Sequence, residues 1–344
     1  MPFLQRDGVS LLCYAKKWKI WEVYFMKRII TLALSAILIL CGLSGCGDNN
    51  SGSDTAGDTG GGKLSVVATI FPQYDFVREI AGDNVDLTML LSPGSESHSY
   101  EPTPQDIITI QECDVFIYVG GESDAWVEKI LESMDTDNMK IIALMDCVDA
   151  VEEEIIEGME GGGEETEAAE YDEHVWTSPK NAKLIVQNIS DTLCEIDSEN
   201  TELYKENTNA YLEALDELDT AFQTAVDKAE RTTIVFGDRF PFRYLADDYG
   251  LTYYAAFPGC ATETEASAAT VAFLIDKVSD ENIPVVFYIE FSNEKMADTI
   301  CEGAGAKKLL LHSCHNVTVS DFESGVSYLD LMYQNVENLR EALQ

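Results

Sequence analysis

Positive charge is scarce in this chain: 22 Lys and Arg stand against 62 Asp and Glu among 344 residues, a formal net charge of −40. A field of that sign repels polyanions, which argues against nucleic acid and anionic lipid surfaces as direct partners. None of the nine cysteines forms a CxxC pair, so a structural thiolate zinc site is not expected. There is no HExxH, and the Gly303-Ala304-Gly305 turn lacks the rest of a phosphate-loop pattern. Histidine is limited to four positions, His98, His174, His312 and His315. Apolar residues, by contrast, make up 46% of the chain, enough for one large core or two moderate ones and too many for a disordered protein.

From Met26 the chain reads MKRIITLALSAILILCGLSGC, a basic pair, an apolar run of roughly a dozen residues and small residues before Cys46. The run is short for a membrane span. Leu43-Ser44-Gly45-Cys46 resembles the lipobox of bacterial lipoproteins, in which the cysteine becomes the lipid-bearing first residue of the mature chain. Residues 1–45 are therefore expected to be leader and signal peptide, Cys46 the lipidation site, and residues 46–62 a flexible Gly, Ser and Asp tether. Residues 1–45 carry six Lys and Arg and two acids, so the remainder has a formal charge near −44. Six further cysteines remain, for which disulfides and buried thiols are both open. Cys260 and Cys314 each follow a predicted strand of the second half and are candidates for a bridge.

The body opens at Lys63 with LSVVATIFPQYDFVREIAG, a strand, a turn at Phe71-Pro72 and a helix ending at Gly82, followed by the strand VDLTMLL. Such a unit needs parallel strands, and sites in such folds sit in the loops at the strand carboxyl ends. The alternation continues with a helix at 104–112, strands at 114–119 and 141–144 around a helix through Glu132, and a helix from Pro179 to Ile196 capped by Ser178. Residues 152–173 interrupt it with eleven Asp and Glu and no Lys or Arg. They read as a mobile acidic loop, either an inert solvated insertion or a low-affinity funnel for cations.

The same alternation resumes after Arg231, with one strand leading into Glu290 and the last into His312. Between the two halves, residues 200–230 contain no Gly or Pro and place Leu203, Tyr211, Leu215, Leu218, Phe222 and Val226 at helical spacing. A helix of that length spans about 45 Å, which suits a strut. The expected fold is α/β: two parallel-sheet (β/α) lobes, residues 63–199 and 231–344, joined by one long helix over 200–230, with a site in the cleft between them.

The motifs GSESHSYEPTP, DEHVWTSP, FRYLADDYGL and YIEFS, the last followed by the His312 strand end, resemble the substrate-binding lipoproteins of zinc and manganese ABC importers. The resemblance covers Lys63 to Gln344. It implies two four-stranded parallel lobes, one rigid linking helix and a single divalent metal in the cleft, passed on to a permease membrane subunit. It makes His98 and His174 ligands. The third ligand position departs from the family: counting back from Tyr249-Gly250 puts Arg239 there, and Arg cannot coordinate a cation. Either a one-residue shift brings in Asp238 or three protein ligands suffice. At the fourth position His312 replaces the usual acid, with His315 as a competitor, and Glu290 is either a further ligand or an outer partner that fixes an imidazole tautomer.

Three imidazoles and one oxygen suit Zn²⁺, and Mn²⁺, which prefers more oxygen donors, fits less well. The expected function is capture of extracytoplasmic Zn²⁺ by a lipid-anchored binding protein on the outer face of the cell membrane, without catalysis. Alternatives are a manganese binder of the same class, a surface zinc hydrolase, and an adhesion or scaffold lipoprotein whose metal only stabilises the fold.

Overall fold

The computed structural model describes residues 62–96, 100–160, 171–261 and 265–344. The expected lipidation site Cys46, the expected tether up to residue 61 and the candidate ligand His98 lie outside them. Gly61–Gln344 form one compact unit.

The first sheet has β1 (Leu64–Ala68), β2 (Val85–Met89), β3 (Val115–Tyr118) and β4 (Lys140–Ala143) in the order β2-β1-β3-β4, all parallel. The second has β5 (Thr233–Phe240), β6 (Thr252–Pro258), β7 (Val285–Tyr288) and β8 (Lys307–Leu310) in the order β6-β5-β7-β8, again parallel. The central strands β1, β3, β5 and β7 each carry a buried apolar run, Val66–Ala68, Val115–Ile117, Ile234–Phe236 and Val285–Phe287, as a parallel sheet covered by helices requires. In both sheets the strand order reverses beside the first strand, and this opens a crevice at the carboxyl ends, where β7 and β8 deliver Glu290 and His312.

The helices follow from local chemistry. Ile70 ends the extended segment, and Phe71-Pro72, expected as a turn, instead form the first turn of α1 (Phe71–Ala81), because Pro lacks only an N–H that no helix would use there. Thr103 caps α2 (Pro104–Gln111), and α3 (Ala125–Leu131) connects β3 to β4. Ser178 caps α4 (Pro179–Ile196) by accepting from the Asn181 N–H at 3.0 Å, with Pro179 at the first helical position.

The long helix α5 runs over Thr201–Asp227, roughly 40 Å. Its buried stripe is Tyr204, Thr208, Tyr211, Leu215, Leu218, Phe222 and Ala225. Leu203, expected on that stripe, is 38% exposed, and Tyr204 takes its place with its hydroxyl donating to Asp197 Oδ2 at 2.6 Å. One apolar cluster joins the halves: Phe76 and Ile117 of the first, Leu215 and Phe222 of α5, and Phe236, Phe287 and Leu339 of the second all belong to it. The terminal helix α10 (Tyr328–Ala342) reaches back, its Tyr328 N–H donating to Asp75 at 2.6 Å and its hydroxyl to Trp176 O at 2.7 Å. The remaining helices are α6 (Arg243–Tyr249), α7 (Ala268–Asp280), α8 (Lys295–Ala304) and α9 (Val319–Ser324).

The acidic stretch departs from the mobile loop expected of it wherever it is described. Glu153 accepts from the Cys260 N–H at 3.0 Å, Glu154 pairs with Arg243 at 2.6 Å, and Glu160 accepts from the Ser267 N–H at 2.5 Å. Gly158, at φ +87, lies so close to the Phe273 ring that no Cβ would fit. Residues 152–160 thus form a strap from the first half onto the second, held by partners the acidic composition did not reveal. All six described cysteines are free, so the candidate Cys260–Cys314 bridge does not form.

Candidate metal centre

His174 is fully buried in the turn that precedes α4. Asp172 Oδ1 accepts from its backbone N–H at 2.8 Å and lies 2.9 Å from its Nδ1. An ionised carboxylate only accepts, so the ring proton is assigned to Nδ1 and the lone pair to Nε2. Tyr244 of α6 holds the same turn, its hydroxyl donating to Asp172 O at 2.6 Å. Gly259, just past β6, covers the ring edge: a Cβ there would stand 3.0 Å from His174 Cε1 and 3.0 Å from Phe240 O.

Across the crevice, Glu290 and the turn His312-Ser313-Cys314-His315 form a second tightly bonded unit. Glu290 Oε2 accepts from the Ser313 N–H at 2.7 Å, and Oε1 accepts from the Ser313 hydroxyl at 2.5 Å and the His315 N–H at 3.2 Å. Cys314 within this unit and Phe291 just after Glu290, at φ 63 and 59, occupy the left-handed region that non-glycine residues avoid. The His315 ring meets the His174 ring edge to face, centroids 4.7 Å apart at 84°, and Trp176 packs on His315 at 4.8 Å. The Trp176 indole N–H donates to Ser313 O at 2.8 Å and ties the two turns together.

The structure therefore brings His315, rather than His312, to His174. The His312 Nδ1 accepts from the Cys314 N–H at 3.0 Å, which puts its proton on Nε2 and leaves a neutral ring no spare lone pair. Its main chain is fixed on both sides by Asn335, each bond 2.7 Å. Glu290 has its oxygens occupied by the 313–315 turn. Asp238 accepts from the Arg239 N–H at 2.9 Å and from the Ile289 N–H at 3.5 Å, and burial raises its carboxyl above the ordinary range. The Arg239 side chain is 3.1 Å from Glu96 Oε1 and 3.3 Å from Ala261 O. Among the described residues no three His, Cys, Asp or Glu converge as a metal cluster.

Beside His315 lies a cavity of about 30 Å³, walled by Tyr100, Trp126 and Trp176 and floored by Asp124 and Glu173. Burial pushes the Asp124 carboxyl up to about 6 and raises that of Glu173, while the N–H groups of Val119 and Gly120 on Asp124 and of Ser123 on Glu173 work against it. Sequence reasoning missed Asp172 and Ser313 as partners of the imidazoles. The Asp-x-His spacing of Asp172 and His174 was the available signal; nothing in the sequence marked Ser313.

Two parallel α/β lobes bridged by one long helix, with imidazoles turned toward each other at the strand carboxyl ends, define a two-lobed solute-binding protein. Residues 66–342 match the family described as zinc-uptake complex component A, periplasmic (ZnuA), and this chain belongs to that family. The zinc-binding lipoprotein AdcA of Streptococcus pneumoniae is 33% identical over 283 residues, covering 81% of this chain and 56% of AdcA. The high-affinity zinc uptake system protein ZnuA of Bacillus subtilis is 32% identical over 310 residues, covering 88% of this chain and 93% of ZnuA. The chain thus spans little more than half the length of AdcA. Among solved structures, the Zn(II)-bound ZnuA-like domain of S. pneumoniae AdcA has a TM-score of 0.69 at 31% identity, covering 82% of this chain and 99% of that one. The metal-dependent lipoprotein YcdH of B. subtilis has 0.70 at 32%, covering 82% and 100%.

Proposed function

We propose that this chain is the extracytoplasmic binding component of an ABC metal importer, anchored through a lipid on Cys46, and that it captures Zn²⁺ and hands it to a membrane permease. The observation that carries this reading is the pairing of His174 with His315 from opposite lobes, each with a polar partner at Nδ1. Three things support it: family membership, the zinc named in the relatives, and the matching His98 motif. The ligand set we propose is His98, His174 and His315, with a water or other small donor as the fourth. His312, Glu290 and Asp238, the other sequence candidates, are already committed to partners within the protein. A set of three nitrogens favours Zn²⁺; the manganese reading needed oxygen from both Asp238 and Glu290, and those carboxylates accept from N–H groups instead.

The test is elemental analysis with competitive titration of Zn²⁺ against Mn²⁺, on the wild type and on His98→Ala, His174→Ala and His315→Ala. The expected outcome is one Zn²⁺ per chain, preferred over Mn²⁺, and severe loss in each variant. A wild type that takes up no zinc, or variants that bind unchanged, would overturn the reading. Because a neutral imidazole is the ligand, affinity should also fall as pH drops through about 6.5.

A further inference from the structure

We propose that Glu290 and Ser313 together set the tautomer of His315, holding its proton on Nδ1 so that Nε2 is presented as a donor atom. This rests on the reading of the site given above and adds two positioning residues to it.

Ser313 Oγ has one hydrogen for two acceptor candidates, Glu290 Oε1 at 2.5 Å and His315 Nδ1 at 2.8 Å; the His315 N–H, at 3.5 Å, is a donor to it and makes no claim on that hydrogen. Glu290 also receives the Ser313 N–H on Oε2 and the His315 N–H on Oε1, so protein donors already occupy both oxygens and an ionised carboxylate has no hydrogen to give. The hydroxyl hydrogen therefore points to Glu290. With that hydrogen spent, Ser313 Oγ can meet His315 Nδ1 only as an acceptor, and the ring must carry its proton there. The carboxylate acts on the imidazole through a hydroxyl, where Asp172 acts on His174 directly. A ligating imidazole so oriented loses no binding energy to a tautomer change. His312, three residues earlier, shows the opposite case: a backbone N–H faces its Nδ1 and imposes the Nε2–H form.

The experiment uses metal-free full-length protein at about pH 8, where a histidine of ordinary pKa is neutral. Long-range proton–nitrogen correlation reads the His315 tautomer directly, and zinc titration reads the consequence. The wild type should show Nδ1–H. In Glu290→Gln the single side-chain oxygen keeps the shorter backbone bond, from the Ser313 N–H at 2.7 Å rather than from the His315 N–H at 3.2 Å, so the amide NH₂ faces Ser313 Oγ. The hydroxyl then turns toward Nδ1, the ring switches to Nε2–H, and zinc affinity should fall about 10- to 100-fold. Ser313→Ala removes the relay without imposing the wrong form and should cost less. The double variant, lacking the misdirected donor, should bind zinc better than Glu290→Gln alone.

Either an Nε2–H tautomer in the wild type or an Nδ1–H tautomer retained in Glu290→Gln overturns the proposal. A zinc loss in Glu290→Gln with the tautomer unchanged would mark Glu290 as a direct ligand. If the wild type binds no zinc, the transport reading fails, but the tautomer of metal-free His315 still decides this inference.

Discussion

His174 and His315 lie in turns of different halves of the chain, yet their rings stand edge to face with centroids 4.7 Å apart, held by an indole N–H that runs from Trp176 to Ser313 O. The contact separates the roles of the two C-terminal histidines. His315→Ala should lower zinc affinity about 100-fold or more, beyond what loss of an outer partner costs. His312→Ala should leave affinity nearer the wild type and cost stability instead, about 1–3 kcal/mol, because the buried Cys314 N–H loses its acceptor. Competitive titration and denaturant unfolding of both variants check this, and the reverse ranking would return the ligand role to His312.

The contact of Gly259 with His174 predicts an effect on binding with little effect on folding. A methyl group at Gly259 would meet the imidazole Cε1 at 3.0 Å and the backbone oxygen of Phe240 at 3.0 Å. The oxygen belongs to β5 and cannot retreat, so the ring must move. Gly259→Ala should therefore weaken zinc binding by at least about tenfold through misplacement of Nε2. Unfolding should change by no more than about 1–2 kcal/mol, within the range of ordinary substitutions. Unchanged zinc affinity would mean that the His174 ring has room to shift.

The sheets were legible because a parallel sheet covered on both faces leaves unbroken runs such as Leu64–Ala68 and Val285–Tyr288 with helical periods between them. The long helix was legible in outline and misread in phase at one end: Leu203 is the more apolar residue, yet Tyr204 lies seven residues before Tyr211 and continues its stripe. The candidate site was legible only in part. His174 announced itself in a motif, but the choice between His312 and His315 turns on the left-handed backbone at Cys314 and on whether each Nδ1 meets a donor or an acceptor. Neither is encoded in composition or spacing. The strap over residues 152–160 was hidden for a similar reason, since its carboxylates find backbone N–H groups and an arginine more than eighty residues away in sequence.

Val151, the residue before that strap, is tied to the candidate metal centre through Tyr244, whose hydroxyl donates to Asp172 O at 2.6 Å and accepts from the Val151 N–H at 3.3 Å. Tyr244→Phe should cost about 1–2 kcal/mol of stability and also reduce zinc affinity, because Asp172 orients His174. Arg243→Ala breaks the Glu154 pair, whose members are 23% and 51% exposed, and should change stability by no more than about 1 kcal/mol. Unfolding and titration of the two variants side by side separate the hydroxyl from the ion pair. Equal zinc affinity in Tyr244→Phe and wild type would show that the strap does not reach the site.

Asp124 gives a pH signature of its own. Burial raises its carboxyl from 3.8 to about 6, opposed by the N–H groups of Val119 and Gly120 and reinforced by the nearby Glu173. A carboxyl that holds its proton more tightly when folded than when unfolded favours folding most at low pH. That advantage is complete below about 4, shrinks as pH rises toward about 6, and is gone above it. A shift of this size corresponds to about 2–3 kcal/mol. Asp124→Asn does not titrate, so its stability relative to the wild type should improve by that order between pH 4 and pH 7. A fixed offset is expected in addition, since the amide cannot accept on both sides. Asp75, raised to about 6 by its own burial, is present in both proteins and cancels from the difference. Denaturant unfolding of metal-free protein at pH 4, 5, 6 and 7 measures the difference directly; if it stays flat across that range, Asp124 is already ionised at pH 4 and the cavity beside His315 is wetter than its aromatic walls suggest.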